Sequence, residues 1–433
     1  MPTQLQIQQY REIISNPDKI EKLAKLEFLN DDNTIAFVVD NTYKRGYGGY
    51  TTGSRAFLQD GSLSVSLQNG KRRQASIVFE NLDNEFDYSI SQWVGQRIRL
   101  SMGLILPDGS PYYLPQGVFY VDSPELGWKP NSRQISYTLT DKWSYLDGSL
   151  FGKLRDTYQI KAGENLFAAM RAVLRLSKYT LDSTFNLNEM IDNVEPQFTN
   201  YFNTRITAVN GKVFSNNQVP YDILIESGKK CSDIITELND LIAGIMGYDA
   251  LGRFTVIPSE SDISDQTKPI LWDFSSSNKG LFEVTETVNI GEICNEYIVI
   301  GEARDSETVP VGRAINNDPA SDTSIGRIGR KPVIESASGY YSKEQCAALA
   351  AYKLKRATVL QKSIAISCPQ MFHLSENNLI TVQRTDKAGQ PIERHLIQSY
   401  TLPVSQNGTM TINATSVMDY PNIEIKEDDY GVL

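Results

Sequence analysis

Short runs in which apolar and polar residues alternate recur in two separate stretches of the chain, and a period of two admits strands where a helix would need a period near 3.6. In the first stretch the runs are Ser62–Leu67, Ser76–Phe79, Arg97–Leu104, Val118–Val121 and Gln134–Leu139. Asp60-Gly61, Asn69-Gly70 and Asp108-Gly109 separate them as turn-forming pairs, because glycine takes positive φ without a steric penalty. These runs predict an antiparallel β module over residues 30–150, sized like a barrel or sandwich. The alternation returns in Val284–Ile290, Glu296–Gly301, Ser363–Cys368, Leu379–Val382, His395–Tyr400 and Met410–Ala414, which predicts a second β module over residues 285–418.

Helical spacing appears elsewhere. Ile7, Tyr10, Ile13 and Ile14 share one helical face, and Asn16 with Pro17 restarts a helix through Ile20, Leu23 and Ala24, so residues 1–29 read as an N-terminal helical segment. Residues 151–284 read as a mixed α+β middle domain. In it Leu166, Phe167, Met170, Val173 and Leu174 line one helix, and a polar, Asn-rich segment follows through Asn217. Ser232 then caps a helix running through Ile245 to Gly247, and an Asp249–Gly252 turn leads into the strand Arg253–Ile257. Within the second β module, Ser342 with Gln345 forms a capping box for one helix carrying Cys346, Leu349, Ala350, Leu354, Ala357 and Leu360. Residues 303–340 read as a long connection, of a length usually functional or ordered by a partner. Asp419, Glu424, Glu427, Asp428 and Asp429 face only Lys426, so residues 419–433 read as an acidic tail. The expected fold class is α+β, mainly β: two related antiparallel β modules with a mixed domain between them, in a chain whose 433 residues exceed one ordinary core.

Composition removes several function classes. With 42 Lys and Arg against 52 Asp and Glu, the chain lacks the basic excess from which a dedicated nucleic-acid binder draws its affinity. No apolar run is long enough to span a membrane, and the first 20 residues carry no signal-peptide core. Cys231, Cys294, Cys346 and Cys368 fit no zinc, redox or disulfide-framework spacing, so four buried thiols are expected.

Signals of chemistry are thin. His373 and His395 are the only histidines, and neither lies in a metal-binding spacing or follows a nucleophile motif, so both are read as packing or surface residues. Asp83-Asn84-Glu85-Phe86-Asp87 lacks the glycine and distal Glu of a calcium loop and reads as a polar turn. Gly46, Gly48 and Gly49 lack the Lys-Ser/Thr pair of a phosphate loop. They sit among Tyr43, Tyr47 and Tyr50, which suits a loop ordered against a neighbouring subunit. Lys71-Arg72-Arg73 reads as a charged, solvent-facing hairpin end. Arg327, Arg330 and Lys331 lie in the long connection and are candidates for pairing with acidic residues of a neighbouring chain. No catalytic residue, cofactor or metal ligand is assigned, and the chain is not read as an enzyme.

The order of pieces carries a resemblance. Asp60-Gly61-Ser62 through Lys71-Arg72-Arg73-Gln74, Val94-Gly95-Gln96-Arg97-Ile98-Arg99-Leu100 and Pro115-Gln116-Gly117-Val118-Phe119 resemble the N-terminal β module of tailed-phage baseplate hub and minor tail proteins. Thr140-Asp141-Lys142 resembles the polar turn that ends that module. Asp318-Pro319-Ala320-Ser321-Asp322-Thr323-Ser324-Ile325, then Ile328-Gly329-Arg330-Lys331-Pro332 and the helix after it, look like the same family's second-module connection. Cys368-Pro369 leading to Leu379-Ile380-Thr381-Val382 continues it. The likeness spans roughly residues 25–418 and brings no catalytic motif with it.

The resemblance implies a homotrimeric ring in which each subunit offers two β modules, so that six meet a hexameric tail tube. The implied partners are further copies of the chain, the tail tube or distal tail protein, a spike or tip protein, the C-terminus of a tape-measure protein, and DNA passing through the lumen without specific binding. The implied location is the virion tail, at the baseplate or tail tip, assembled in the host cytoplasm. Two other classes stand beside this structural one: a cell-wall-degrading tail-associated enzyme, and a receptor- or glycan-binding tail protein.

Overall fold

Alternating burial along the first strands shows why they pair as they do. In β4 below, Arg73, Ala75, Ile77 and Phe79 are buried while the residues between them are more exposed. The computed structural model describes residues 4–426 except 15–20, 31, 45–53, 68–69, 71, 83, 131, 177–205, 208–212, 215–217, 220–221, 242–243, 259–267, 275–281, 289, 304–307, 338–339, 341–342, 361, 384–391 and 418–420. Its first part runs α1 (Gln4–Ile14), β1 (Lys22–Leu29), β2 (Ile35–Asp40), β3 (Ser54–Ser66), β4 (Arg73–Glu80), α2 (Ile90–Val94), β5 (Arg97–Ile105), β6 (Pro111–Lys129) and β7 (Ser132–Asp141). The strands pair in the order β3-β2-β1-β5-β6-β7-β4, and β4 pairs back onto β3, so these seven close into a barrel. The closed barrel encloses Leu26, Phe28, Phe79, Ile98, Leu100, Tyr137 and Leu139.

Two expectations fail here. Lys22–Leu29 is a strand and not the end of a helix, because it lies between β2 and β5 and pairs with both. Leu23 and Ala24 are read equally well by either period, and the sheet decides between them. Asp60-Gly61 is no turn: β3 runs through it, with a register shift between Leu58 and Asp60. Gly61 has φ +153°, and a Cβ there would stand 2.3 Å from the Ser76 carbonyl oxygen. Asp108-Gly109 does turn β5 into β6, and Gly109 has φ +80°.

The middle segment holds β8 (Tyr158–Ile160), α3 (Leu166–Leu176), β9 (Ile206–Thr207), β10 (Val213–Phe214), β11 (Ile223–Ile225), α4 (Cys231–Asp240), β12 (Gly244–Tyr248) and β13 (Phe254–Pro258). The expected helix and hairpin are present. The helix, however, starts after Lys230, with Ser232 buried inside it, and stops at Asp240, so Ile245 and Gly247 belong to β12. Helices α3 and α4 pack together over a core that includes Met170, Val173, Ile234, Leu238, Tyr248 and Phe254. Most of the Asn-rich segment lies outside the described residues.

The last part contains β14 (Ile270–Phe274), β15 (Glu283–Val288), β16 (Glu296–Ile300), β17 (Val311–Asn316), α5 (Ile325–Ile328), β18 (Pro332–Ser336), α6 (Lys343–Leu360), β19 (Lys362–Cys368), β20 (Leu379–Val382), β21 (Glu393–Pro403), β22 (Met410–Ser416) and β23 (Ile423–Lys426). The long connection is therefore structured: β17, α5 and β18 lie within it. With β16 and β23 they build a separate four-stranded sheet, β18-β16-β17-β23, on which α6 packs through Cys346, Ala350 and Leu354. Part of the acidic tail is also a strand, since β23 pairs with β17. Residues 427–433 lie outside the described residues.

Six of the seven strands of the first β part recur in the second, and β2 has no counterpart among the described strands. The order β3-β4-β7-β6-β5-β1 in the first is matched by β15-β19-β22-β21-β20-β14 in the second. Registers match as well. Arg73 faces Val65 as Lys362 faces Val288, and Ala75 faces Leu139 as Ile364 faces Ala414. Both long hairpins carry a bulge at the same place, between Val121 and Ser123 in β6 and between Ile397 and Ser399 in β21. One pairing differs: β14 runs parallel to β20, whereas β1 is antiparallel to β5. The fold class is thus α+β, mainly β, as the alternation requires. No described helix is long and apolar enough to cross a membrane. All four cysteines are buried and free.

Candidate functional site

The two β parts are joined by the end of β3, whose Ser62–Ser66 pairs antiparallel with Ser399–Pro403 of β21. Leu63, Val65 and Leu402 are fully buried in this joint, and Tyr400 is nearly so. Burying each aliphatic side chain contributes about 1.5–3 kcal/mol. Just beyond, the hairpin from β3 to β4 carries Gly70, Arg72 and Arg73 to the place where all three parts of the chain meet.

Arg72 and Arg73 are buried, at 2% and 1% exposure, so the expected solvent-facing hairpin end is corrected. The physical reason is phase: Arg73 alternates with Ala75, Ile77 and Phe79, which puts it on the inward face. Arg73 Nη2 donates to Glu376 Oε2 at 2.6 Å and to Ser375 Oγ at 3.1 Å, and Nη1 donates to the Gln116 carbonyl at 2.8 Å. Arg72 turns the other way, into the middle segment. Its Nε donates to the Met246 carbonyl at 2.9 Å and Nη2 to the Ile245 carbonyl at 3.0 Å. Gly247, with φ +146°, leaves room for that guanidinium: a Cβ there would lie 2.5 Å from Arg72 Nε. The Asp141 carboxylate fixes the hairpin backbone by accepting from the N–H groups of Arg72 at 2.8 Å, Arg73 at 2.9 Å and Trp143 at 3.0 Å.

Glu376 is 8% exposed. Burial pushes its carboxyl up, but Arg73, Arg72 and the Ser375 hydroxyl outweigh that and hold it below the ordinary carboxylate range. A buried carboxylate held by an arginine on one side and backbone-anchored loops on the other fixes geometry. The side chains joined here, Arg72, Arg73, Asp141, Ser375 and Glu376, include neither histidine nor cysteine.

The candidate residues from the sequence do not converge on this joint. Tyr43 follows β2 and lines a pocket with Arg55, Glu80, Asn81, Leu82, Glu85 and Phe86. Tyr47 and Tyr50 lie outside the described residues. Arg327, Arg330 and Lys331 lie together on the turn around α5. Arg327 bonds Asp322 at 2.7 Å and the Pro319 carbonyl at 3.0 Å, Arg330 reaches Glu296 at 3.6 Å, and Lys331 donates to the Ile290 carbonyl at 3.3 Å. Among the described residues no cluster of His, Cys, Asp and Glu could hold a metal ion.

His395 is buried, at 1% exposure with Glu393 at 3.4 Å, and His373 is half-buried. His373 meets the Tyr10 hydroxyl of α1 at 3.1 Å and the edge of Trp272. Burial, assisted by Arg11, lowers its pKa to about 4. Since the folded value lies below the ordinary imidazole value of 6.5, protonation favours the unfolded chain. Stability from this group is complete above pH 6.5 and falls as pH drops toward 4. Urea titrations across that window are expected to show a shallower acid-side loss for His373→Gln than for the wild type; equal slopes would contradict the assignment.

No protein-family model matches the sequence, and no curated protein matches it. Solved structures do match. A tail protein from Neisseria meningitidis MC58 superposes with a TM-score of 0.56 at 11% identity, over 91% of this chain and 96% of that one. The 43 kDa tail protein of prophage MuSo2 from Shewanella oneidensis gives 0.54 at 12% identity, over 91% and 98%. The chain has a phage tail-protein fold. A chain of the Francisella PdpA–VgrG complex gives 0.50 at 10% identity, over 97% of this chain and 57% of that one. In this tail-protein fold the Arg72–Arg73 hairpin is the place where both β parts and the middle segment are tied together.

Proposed function

We propose that the chain is a structural hub or tail-tip protein of a tailed phage or phage-like particle. Three copies form a ring that joins the hexameric tail tube to a spike or tip and lets DNA pass. The observation that carries this reading is the register-matched repeat of two β parts in one chain. A subunit with two equivalent modules lets a three-fold ring present six similar surfaces to a six-fold tube. The tail-protein fold supports the same reading, and so does the character of the central joint, whose charged groups are spent on holding modules together. In the proposal the tube-like modules lie over residues 30–150 with β1 added and over 285–418 with β14 added and the separate sheet of β16–β18 set apart; the rest of 151–284 is the middle domain, the residues before β1 are an N-terminal segment, and 419–433, whose β23 joins the separate sheet, is the tail. Tyr43, Tyr47, Tyr50, Arg327, Arg330 and Lys331 are proposed subunit or partner contacts. The lumen walls carry at least as many Asp and Glu as Lys and Arg, so that DNA is not held by phosphate contacts.

Deleting the gene in a producing strain tests the role. The expected result is tubes that lack a completed tip and particles that do not infect or inject, restored by the chain supplied in trans. Complete, injecting particles without it would overturn the reading. Clearing of peptidoglycan by the purified chain would establish a cell-wall-degrading enzyme instead.

A further inference from the structure

The repeat leaves one pair of strand edges open. Inside the chain, β21 spends the first half of one edge on β20 and the second half, beyond the bulge, on β3. Its counterpart β6 spends the first half of the same edge on β5, through Tyr120. Beyond the bulge, Ser123–Lys129 pairs with β7 alone among the described strands. The counterpart of β3 is β15, which pairs with β19 alone among the described strands. Among the described strands there is thus one completed joint and two unmatched halves of a second.

Exposure follows the same division. Leu402 is 0% and Val404 3% exposed in the internal joint, while the residues at the matching positions of β6, Leu126 and Trp128, are 52% and 71% exposed. Val65 is 0% exposed, and its counterpart Val288 is 52% exposed. Ile90 of α2, which packs against β6, is 76% exposed. Bare apolar residues on open strand edges invite pairing with another chain.

We infer that β15 of one copy adds to the Ser123–Lys129 half of β6 in a second copy of this chain, in the antiparallel register of the internal β3–β21 joint. That register sets Val284 opposite Trp128, Glu286 opposite Leu126 and Val288 opposite Pro124. It also sets Glu283 opposite Lys129, an opposite-charge pair that favours this alignment. Pro124 stands where the internal joint has Tyr400 and removes one ladder N–H, which an edge strand tolerates. Glu286 stands where the joint has Leu63. The partner is a further copy because the two open halves are the repeat-related copies of surfaces that already fit each other inside the chain. The inference rests on the ring reading above and specifies its interface.

Glu125→Cys combined with Thr287→Cys tests it in assembled particles. In this register the two positions form a non-hydrogen-bonded pair with Cα atoms about 4.5 Å apart, within disulfide reach. Mild oxidation is expected to give a species of three chain masses on a non-reducing gel, and neither single variant should. A three-fold ring visible by electron microscopy that yields no cross-link would overturn this joint and leave the ring reading standing; particles with no ring overturn both. Leu126→Asp with Trp128→Asp is the second arm. The isolated variant is expected to melt with the wild type and to be lost from particles, whereas normal incorporation would overturn the inference.

Discussion

Replacing Glu376 by Ala is expected to destabilise the folded chain by about 3–5 kcal/mol, because it leaves the Arg73 guanidinium buried without its carboxylate. The Arg73 site is 1% exposed, so water does not replace the lost partner. Arg73→Met together with Glu376→Leu is expected to recover most of the loss, since it removes both charges and keeps the volume. Urea unfolding of the three variants checks both statements. A loss below about 1 kcal/mol for Glu376→Ala would mean that the pair behaves as a solvated surface bridge.

Leu402→Ala is expected to cost about 2–5 kcal/mol, because Leu402 is fully buried against Leu63 where the two β parts join. Leu126→Ala at the matching position of the first part should change the stability of the isolated chain by no more than about 0.5 kcal/mol, since Leu126 is 52% exposed. The contrast matters more than either value. Two leucines at repeat-related positions differ in energy because one edge is already joined and the other awaits a second copy. Equal effects from the two substitutions would contradict that difference.

The sequence discloses the strands better than their company. Period-two alternation locates β4, β7, β19 and β22, because each has one face on a core and one toward less buried surroundings, and it locates β5 although that strand is buried on both faces. It misreads Lys22–Leu29, whose apolar residues suit a helix face as well as a strand buried between two neighbours. It misreads the long connection because β17 and β18 depend on β16 and β23 for their pairing, and those contacts are remote along the chain. Arg73 shows the same limit from the other side. Its phase with Ala75, Ile77 and Phe79 was a readable sign of burial, but its partner Glu376 lies 303 residues away, and nothing local marks that distance as a contact. The internal repeat is carried by register and by a shared bulge more than by residue identity. Lys362 stands in the place of Arg73, and Pro124 in that of Tyr400.

Electron microscopy of the full chain, alone and added to tails that lack it, measures the central claim most directly. The account predicts a three-fold ring in which six β modules follow one another around the bore, with β15 of each copy beside β6 of the next. A chain that stays monomeric in solution and also fails to join such tails, or that joins them without three-fold symmetry, would contradict it.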